Sequence, residues 1–329
     1  MTDWNIIQDD CSKAMLNMED QSFHAIITDP PYYKVKRDEW DNQWDSPEEF
    51  MTWMESIAEN HWKRLLKPNG SLLVFASPSM ASHVEVMLSR HFHILNHIVW
   101  AKNYPGAKNV LSRRADKSTL RSFFSDSERI IFAEHKGMDP WIKGNGAGAF
   151  SPLQTYLEDA REKAGMSKAS ISKAWKDKHG TGGGMVNHWF GQSQWTLPIK
   201  EHYQWLQELL HPHLDRSHED LQREYEERRR SFQVDKTNYS DVWYFNTING
   251  AKDKHPCEKP VDLMRHIVES TTKKGDRVLD CFSGSGATGE ACLLSERTFV
   301  GIEADPVYAE GSRRRLTALE DLYALMGRG

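Results

Sequence analysis

The sequence has no long apolar run, and its start lacks the features of an export signal. No stretch of the 329 residues approaches the ~20 consecutive apolar residues that span a bilayer. The opening residues Met1-Thr2-Asp3-Trp4-Asn5 lack the basic and apolar regions of a secretory signal peptide. We therefore expect a cytoplasmic protein with no membrane contact.

Cysteine is scarce, and no cysteine spacing is typical of a metal site. None of the four cysteines forms a Cys-x-x-Cys pair, which argues against a zinc ribbon or a disulfide framework. The histidines at 211, 213 and 218 have no acidic or thiol ligand at motif spacing. We predict reduced thiols and no metal site.

A net basic charge is also lacking, because the formal net charge is -5. This value argues against a uniformly basic nucleic-acid coat, although a local basic face remains compatible with it. The hydrophobic residues amount to 39% and the charged residues to 27%, a balance that allows a packed core.

Short apolar strands alternate with amphipathic helices in both end regions of the chain, which indicates a mostly parallel α/β sheet covered on both faces. The pattern predicts strands at 4–8, 24–28, 72–75, 94–100, 129–133, 242–245, 277–280 and 298–303. It predicts helices at 12–18, 47–66, 80–89, 261–270 and 286–294, and a closing helix through Arg315.

The alternation stops in the middle of the chain. Residues from about 150 to 232 have helical spacing, and Ser151-Pro152 is a good helix start. Four tryptophans at helical spacing are predicted to be core residues: Trp175, Trp189, Trp195 and Trp205. We predict one discontinuous α/β domain, 1–140 with 238–329, and an inserted α-helical domain, 141–237.

A glycine-rich motif, Asp280 to Gly289, follows a predicted strand and precedes a predicted helix. Gly284, Gly286 and Gly289 satisfy the pattern Gly-x-Gly-x-x-Gly. Such glycines let the backbone approach a cofactor, and a carboxylate one strand later can hold ribose hydroxyls. The pattern indicates an adenosine-type cofactor without saying which one, so a nicotinamide-dependent oxidoreductase stays open at this point.

A second motif, Asp29-Pro30-Pro31-Tyr32, follows an apolar strand. Its two prolines fix φ and remove two N–H donors, which leaves a rigid turn with available carbonyl groups. An acidic side chain and a carbonyl held together can accept both hydrogens of an exocyclic amine, and an aromatic ring can stack on the base that carries it. The motif therefore predicts chemistry on a nucleobase amine, for which a dehydrogenase has no use.

The third motif, His255-Pro256-Cys257-Glu258-Lys259-Pro260, precedes the helix that leads into the glycine motif. Together and in this order, the three motifs resemble the S-adenosylmethionine-dependent DNA amino-methyltransferases of the beta group, over about 1–135 and 240–320. The resemblance implies a Rossmann-like methyltransferase fold with a mostly parallel seven-stranded sheet and one antiparallel edge strand. In that fold the strands that end at Asp29 and Asp280 are neighbours, and both open on one crevice.

The resemblance implies direct in-line methyl transfer from S-adenosyl-L-methionine to the N6 amine of a flipped adenine. Asp29 and the carbonyl of Pro30 accept hydrogen bonds from the amine, Pro31 keeps the turn rigid, and Tyr32 stacks on the base. Aspartate rather than serine before Pro-Pro-Tyr is more like the adenine enzymes. An N4-cytosine enzyme remains the alternative.

The cofactor is expected to contact ten residues. Asp280 receives its ammonium group, Thr288 or Lys259 its carboxylate, and Glu303 its ribose hydroxyls. The methionine part is lined by Phe282, Ser283, Gly284 and Gly286. The adenine ring lies near Asp10 and Cys11.

Double-stranded DNA is the expected partner. The insert is similar to helix-turn-helix domains, in which one helix enters the major groove. Basic residues expected to contact DNA are Lys168 and Lys173 in the insert, Lys34 and Lys36 after the catalytic turn, and Arg113, Arg114 and Lys117 in a loop. For the insert, the alternative is a helical domain that only packs. For the basic residues after the turn and in the loop, the alternative is ordinary solvated charge.

A non-catalytic DNA-binding regulator on a methyltransferase scaffold is a different class of function for the same sequence. The helical insert would suit such a protein, whereas the intact acidic turn, glycine motif and ribose carboxylate favour an enzyme. The sequence leaves open the DNA site that is modified and whether the chain forms a homodimer.

Overall fold

The computed structural model describes residues 3–33, 43–102, 121, 123, 125–136, 150–180, 182–191, 195–234, 240–248 and 258–326. The chain divides into two compact units, residues 1–135 with 231–329 and residues 136–230. The sequence had placed the two joins at 140/141 and 237/238. No helix in these described ranges is long and apolar enough to cross a membrane.

The larger unit is built on one sheet of eight strands. The strands are β1 (Trp4–Gln8), β2 (Phe23–Thr28), β3 (Leu66–Ala76), β4 (Phe92–Ala101), β5 (Ser127–His135), β6 (Val242–Tyr244), β7 (Arg277–Asp280) and β8 (Thr298–Glu303). Their order is β1-β8-β7-β2-β3-β5-β4-β6. Every neighbouring pair is parallel except the two that include β5. The predicted class, a mostly parallel α/β fold, is confirmed.

Two details implied by the resemblance, seven strands and an antiparallel edge strand, were wrong. The sheet has eight strands, as the hydrophobic pattern had indicated, and β5 lies inside it between β3 and β4. The continuous burial of Ile130–Glu134 fits an interior strand, since both of its faces are covered. The edge next to β4 is formed by β6, which is three residues long and so exposes little unpaired backbone.

Helices cover both faces of this sheet. They are α1 (Cys11–Leu16), α2 (Pro47–Ile57), α3 (Lys63–Leu65), α4 (Ala81–His91), and, after the insert, α10 (Val261–Thr271), α11 (Ala287–Leu294) and α12 (Pro306–Met326). Alternate residues of one strand enter opposite cores, so that Leu72 and Val74 lie in one core and Leu73 and Phe75 in the other.

The helix predicted at 47–66 is interrupted, and the strand after it starts earlier than predicted. A π-helical turn, Ala58–Trp62, separates α2 from α3. It places the buried indole of Trp62 so that Nε1 donates to Sγ of Cys281 at 3.2 Å, directly after β7. The segment Lys67–Gly70, predicted to end the helix, belongs to β3.

The unit 136–230 has a core of its own, and its described regular structure is helical. The helices are α5 (Ser151–Lys163), α6 (Lys168–His179), α7 (Val186–Phe190), α8 (Lys200–Leu209) and α9 (His218–Arg228), with a 3-10 turn at Gly183–Met185. All four tryptophans predicted as core residues are buried in it. Gly165, at φ +66°, turns the chain between α5 and α6, and the hydroxyl of Ser167 caps α6.

Candidate active site

Parallel pairing brings the first two motifs to the same edge of the sheet. Ile26 of β2 pairs with Leu279 of β7, so Asp29 and Asp280 both lie where their strands end. The hydroxyl of Thr28 donates to Oδ1 of Asp280 at 3.2 Å across the 252 residues that separate them. Glu303 ends β8, the next strand along. Open α/β sheets bind ligands in the crevice at this edge.

Asp29 has one paired and one unpaired carboxylate oxygen. Its Oδ2 accepts a hydrogen bond from Nζ of Lys259, the lysine of the third motif. Its Oδ1 is buried and has no hydrogen-bond partner among the described residues. Burial raises the pKa of Asp29, against the effect of Lys259 and together with that of Glu128. The unpaired oxygen is an acceptor available to an amine.

Glu128, a residue that sequence reasoning missed, lies beside this aspartate at the start of β5. Its Oε2 accepts from the hydroxyl of Tyr32 at 2.9 Å and lies 3.3 Å from Nζ of Lys259. Its Oε1 lies 2.6 Å from Nζ of Lys102. Burial acts to raise the pKa of Glu128, but the two lysines outweigh it and hold that pKa below its ordinary value.

The antiparallel direction of β5 explains why Glu128 is here. In a parallel strand the first residues lie at the edge away from the crevice, but β5 runs the other way. Ala76 at the end of β3 pairs with Arg129, so the start of β5 lies at the crevice edge. An isolated glutamate at a strand start carries no motif, and the sequence did not indicate which strand would be antiparallel.

The glycine motif forms a tight loop between β7 and α11. Gly284 and Gly286 have φ of +49° and +78°, a backbone region that favours glycine. A Cβ on Gly286 would collide with the hydroxyl of Ser312 in α12. The N–H of Gly284 donates to Oε2 of Glu303 at 2.8 Å, which fixes the carboxylate against the loop. Burial raises the pKa of Glu303, although this and other backbone N–H groups oppose the effect.

Asp280 is buried and accepts three hydrogen bonds. Thr28 and the N–H of Phe282 donate to Oδ1, and the hydroxyl of Thr288 donates to Oδ2 at 2.6 Å. Burial raises its pKa to about 7, despite these donors. The carboxyl therefore changes charge near neutral pH.

The two residues expected to bind the cofactor's carboxylate have other partners in this structure. The hydroxyl of Thr288 is buried and donates to Asp280. Lys259 contacts Asp29 and Glu128, and its Nζ lies 5.4 Å from the ring centre of Tyr32. The structure thus joins Lys259 to the catalytic turn.

The other predicted cofactor residues lie around the same edge. Asp10 is exposed and caps α1 through the N–H of Lys13 at 3.1 Å, whereas Cys11 is buried in the core. Burial raises the pKa of the Cys11 thiol to about 12, which keeps it protonated. The hydroxyl of Ser283 is buried with no hydrogen-bond partner among the described residues. The ring of Phe282 packs against that of Trp53, with the ring centres 5.8 Å apart.

Arg315, a second residue that the motifs did not reveal, ties the third motif to the glycine loop. Its guanidinium contacts the carboxylate of Glu258 at 2.9 Å and the carbonyl of Ser285 at 3.1 Å, and it also pairs with Glu290. One arginine therefore fixes the segment before Lys259 to the glycine loop.

The predicted DNA contacts are divided between described and undescribed residues. Lys34, Lys36, Arg113, Arg114 and Lys117 lie outside the described residues, as does the start of the third motif, His255 to Cys257. In the insert, Lys173 is exposed on α6. Lys168 donates to the carbonyl of Phe190 and lies 3.5 Å from Glu158, so its charge has partners within the insert.

Comparison with known proteins identifies the family. The family model N6_N4_Mtase, described as DNA methylase, matches residues 23–314. The chain is 24% identical to type II methyltransferase M2.MboI of Moraxella bovis, over 95% of this chain and 87% of that protein. It is also 24% identical to type II methyltransferase M.BglI of Bacillus subtilis, over 93% and 84%.

Solved structures share the fold at low identity. The PvuII DNA methyltransferase, titled cytosine-N4-specific, superposes with a TM-score of 0.52 at 14% identity, over 95% of this chain and 86% of that one. TTHA0409 of Thermus thermophilus, solved with S-adenosyl-L-methionine, superposes with a TM-score of 0.51 at 17% identity, over 97% and 94%.

The family match spans most of the chain and agrees with the three motifs. The chain therefore belongs to the S-adenosylmethionine-dependent DNA amino-methyltransferases, a family that includes enzymes for both N6 of adenine and N4 of cytosine.

Proposed function

We propose that this protein methylates the N6 amine of adenine in double-stranded DNA, acting on a base flipped into the crevice beside Asp29. The observation that carries the proposal is the buried Oδ1 of Asp29, next to the end of β7, which has no hydrogen-bond partner in the part of the chain that the structure describes. The choice of adenine over cytosine rests on aspartate as the first residue of Asp29-Pro30-Pro31-Tyr32.

The residues of the crevice fit S-adenosyl-L-methionine, which supplies the methyl group when bound. The left-handed backbone of Gly284 and Gly286 makes the loop tight, and the Glu303 carboxylate beside it suits ribose hydroxyls. The unpartnered hydroxyl of Ser283 is a further polar contact. Asp280 suits the ammonium group, since a cation beside it would offset the burial that favours its neutral form.

The catalytic turn then positions the amine. Oδ1 of Asp29 and the carbonyl of Pro30 accept its two N–H bonds, which orients the nitrogen lone pair toward the methyl donor. Tyr32 stacks on the base. Burial raises the pKa of its hydroxyl well above the ordinary value, so the hydroxyl stays protonated and donates to Glu128.

We propose the unit 136–230 as the part that recognises the DNA target. Two helices joined by a short turn, α5 and α6 with Gly165 between them, support this proposal, and Lys173 is exposed on the second helix. Of the two lysines predicted there, we propose Lys173 as a phosphate contact, because Lys168 has partners inside the unit.

The test is transfer of a labelled methyl group from S-adenosylmethionine to unmethylated genomic DNA, followed by digestion to nucleosides and their separation. We expect label in N6-methyladenine. Label in N4-methylcytosine would overturn the choice of base while leaving the methyltransferase assignment. Absence of transfer combined with DNA binding would support a non-catalytic regulator. Sequencing the methylated positions would then give the target site.

A further inference from the structure

Glu128 contacts three polar side chains in the crevice. Its side chain is 13% exposed and contacts three polar groups, Lys102 directly after β4, Tyr32 in the catalytic turn and Lys259 in the third motif. Two of these three belong to the motifs that define the site. The carboxylate therefore joins elements far apart in the sequence at the point where the base would be held.

The contact with Tyr32 fixes an aromatic ring through its polar end. The hydroxyl of Tyr32 donates to Oε2 of Glu128 at 2.9 Å. Hydrogen bonds to an ionised acceptor are stronger than those between neutral groups, so this contact restricts the rotation of the ring. A ring held in one plane is a prepared surface for stacking a base.

The contact with Lys259 divides one cation between two carboxylates. Lys259 donates to Oδ2 of Asp29 and lies 3.3 Å from Oε2 of Glu128. Both carboxylates attract this ammonium group, so removal of the Glu128 charge is expected to strengthen its attraction to Asp29. A carboxylate paired with an undivided cation is a weaker acceptor for an amine N–H, because its negative charge is already compensated.

We propose that Glu128 is a positioning residue for methyl transfer, which orients Tyr32 and draws Lys259 partly away from Asp29 without itself touching the base or the cofactor. This inference rests on the proposed function. It assigns a role to a residue outside the three motifs.

The test is Glu128→Gln, which keeps the size of the side chain and removes its charge. We expect kcat to fall on the order of 100-fold, the scale of a misplacement of about 1 Å. Binding of S-adenosylhomocysteine, measured by calorimetry, is expected to stay unchanged because the glycine loop and Glu303 are not altered.

The pH profile of kcat adds a readout that a purely structural role would not move. The described charged and titratable groups that act on Asp29 are Lys259, Glu128, Tyr32 and Asp280. Burial raises the pKa of Asp29 and the Glu128 charge raises it further, so Glu128→Gln lowers it. If the acid limb of the wild-type profile reports Asp29, that limb is expected to move to lower pH in the variant.

Glu134→Gln is the matched control. Glu134 is also buried, lies six residues along the same strand, and pairs with His93 at 3.1 Å. We expect its kcat and pH profile to match the wild type. The double variant Tyr32→Phe with Glu128→Gln is expected to lose less activity than the two single losses multiplied, because Glu128 acts partly through the Tyr32 hydroxyl.

Two results would overturn the inference while the wild type remains active. One is a Glu128→Gln enzyme with the wild-type kcat and acid limb. The other is loss of S-adenosylhomocysteine binding together with activity, which would make Glu128 a residue that maintains the fold. A wild-type enzyme that transfers no methyl group would instead contradict the proposed function itself.

Discussion

Asp29 is the residue on which the proposed chemistry depends, and its two oxygens have different surroundings. Oδ2 is held by Lys259, while Oδ1 remains available inside a buried turn. The pairing with Lys259 favours the charged carboxylate at a site where burial alone would favour its protonation.

Asp29→Ala removes the proposed acceptor of the amine hydrogens. We expect methyl transfer to fall at least on the order of 100- to 1,000-fold, by analogy with the loss of one preorganised electrostatic contact. S-adenosylhomocysteine binding is expected to persist, since the glycine loop follows β7 and does not include Asp29. Transfer of labelled methyl groups and calorimetry measure the two quantities, and full activity in the variant would contradict the assignment.

The buried carboxylate of Asp280 is expected to lower the stability of the protein while it raises the affinity for the cofactor. Its pKa is raised by burial from 3.8 to about 7, so its contribution to stability is greatest at low pH and is lost as pH rises through 7. The linkage amounts to about 4 kcal/mol at most. Asp280→Asn avoids this loss and can still meet its three neighbours, because threonine hydroxyls both donate and accept.

We therefore expect ligand-free Asp280→Asn to melt at a higher temperature than the wild type at pH 8, with a smaller difference near pH 4. Its affinity for S-adenosylhomocysteine is expected to fall, because the partner of the ammonium group is gone. Thermal unfolding at several pH values and calorimetry provide the measurements. Asp262→Asn, at a carboxylate on the first turn of α10, is the control and is expected to change neither quantity.

At the scale of single residues, the motifs predicted which residues meet at one edge of the sheet, but not which neighbours contact them. Asp29, Asp280 and Glu303 stand in recognisable patterns at strand ends, and parallel pairing brings them to one edge. Glu128, Lys102 and Arg315 have no pattern around them. Their roles follow from pairings between distant segments, and a single sequence does not contain that information.

At the scale of elements, the loop between β7 and α11 depends on the absence of a side chain. Gly286 has φ of +78°, and the hydroxyl of Ser312 lies too close to the position that a Cβ would take there. Gly275 has a similar φ of +82° but open space around it. A substitution at Gly275 therefore tests backbone strain alone, whereas one at Gly286 tests strain together with collision.

Gly275→Ala is expected to lose about 1–2 kcal/mol of the free energy of unfolding, the cost of the left-handed backbone. Gly286→Ala is expected to lose about 1–3 kcal/mol more from overpacking against α12, and to bind S-adenosylhomocysteine more weakly. Urea unfolding and calorimetry test both variants. Equal losses of stability in the two would show that Ser312 yields without cost.

Hydrophobic alternation identified all eight strands but did not fix every boundary or position. β3 begins at Leu66, earlier than predicted, because Leu66 already pairs with Phe23 of β2, and the register with β2 then shifts before pairing continues from Ser71. The π-helical turn at Ala58–Trp62 had no sequence signal. Its last residue, Trp62, contacts Cys281, which is 219 residues away in the sequence. Local pattern predicts the element, whereas packing decides its ends.

At the scale of the whole molecule, the two units have separate cores and separate proposed tasks. One holds the crevice, and the other, 136–230, is proposed to contact DNA. The loss of strand alternation predicted an insert over 141–237, whereas the structure divides the chain at 135/136 and 230/231. Whether it binds DNA cannot be read from helical spacing, because core helices have the same period.

Lys173→Ala tests this proposed contact. A lysine that binds a phosphate releases a counterion, so the slope of log affinity against log salt is expected to fall by about 1. DNA binding measured over a range of salt concentrations gives the slope. Lys163→Ala, an exposed lysine on α5, is the control and is expected to keep the wild-type slope. The same slope in both variants would place the phosphate contacts elsewhere.

The pairing of β2 with β7 has a consequence for biosynthesis. Thr28 and Asp280 are 252 residues apart, so at typical rates of translation the second is made about 10–50 s after the first. Throughout that interval the apolar Ile26 and Ile27 lack one of the two strands that flank them. An incomplete chain therefore lacks the crevice between the ends of β2 and β7, and its unpaired β2 favours aggregation until β7 is made.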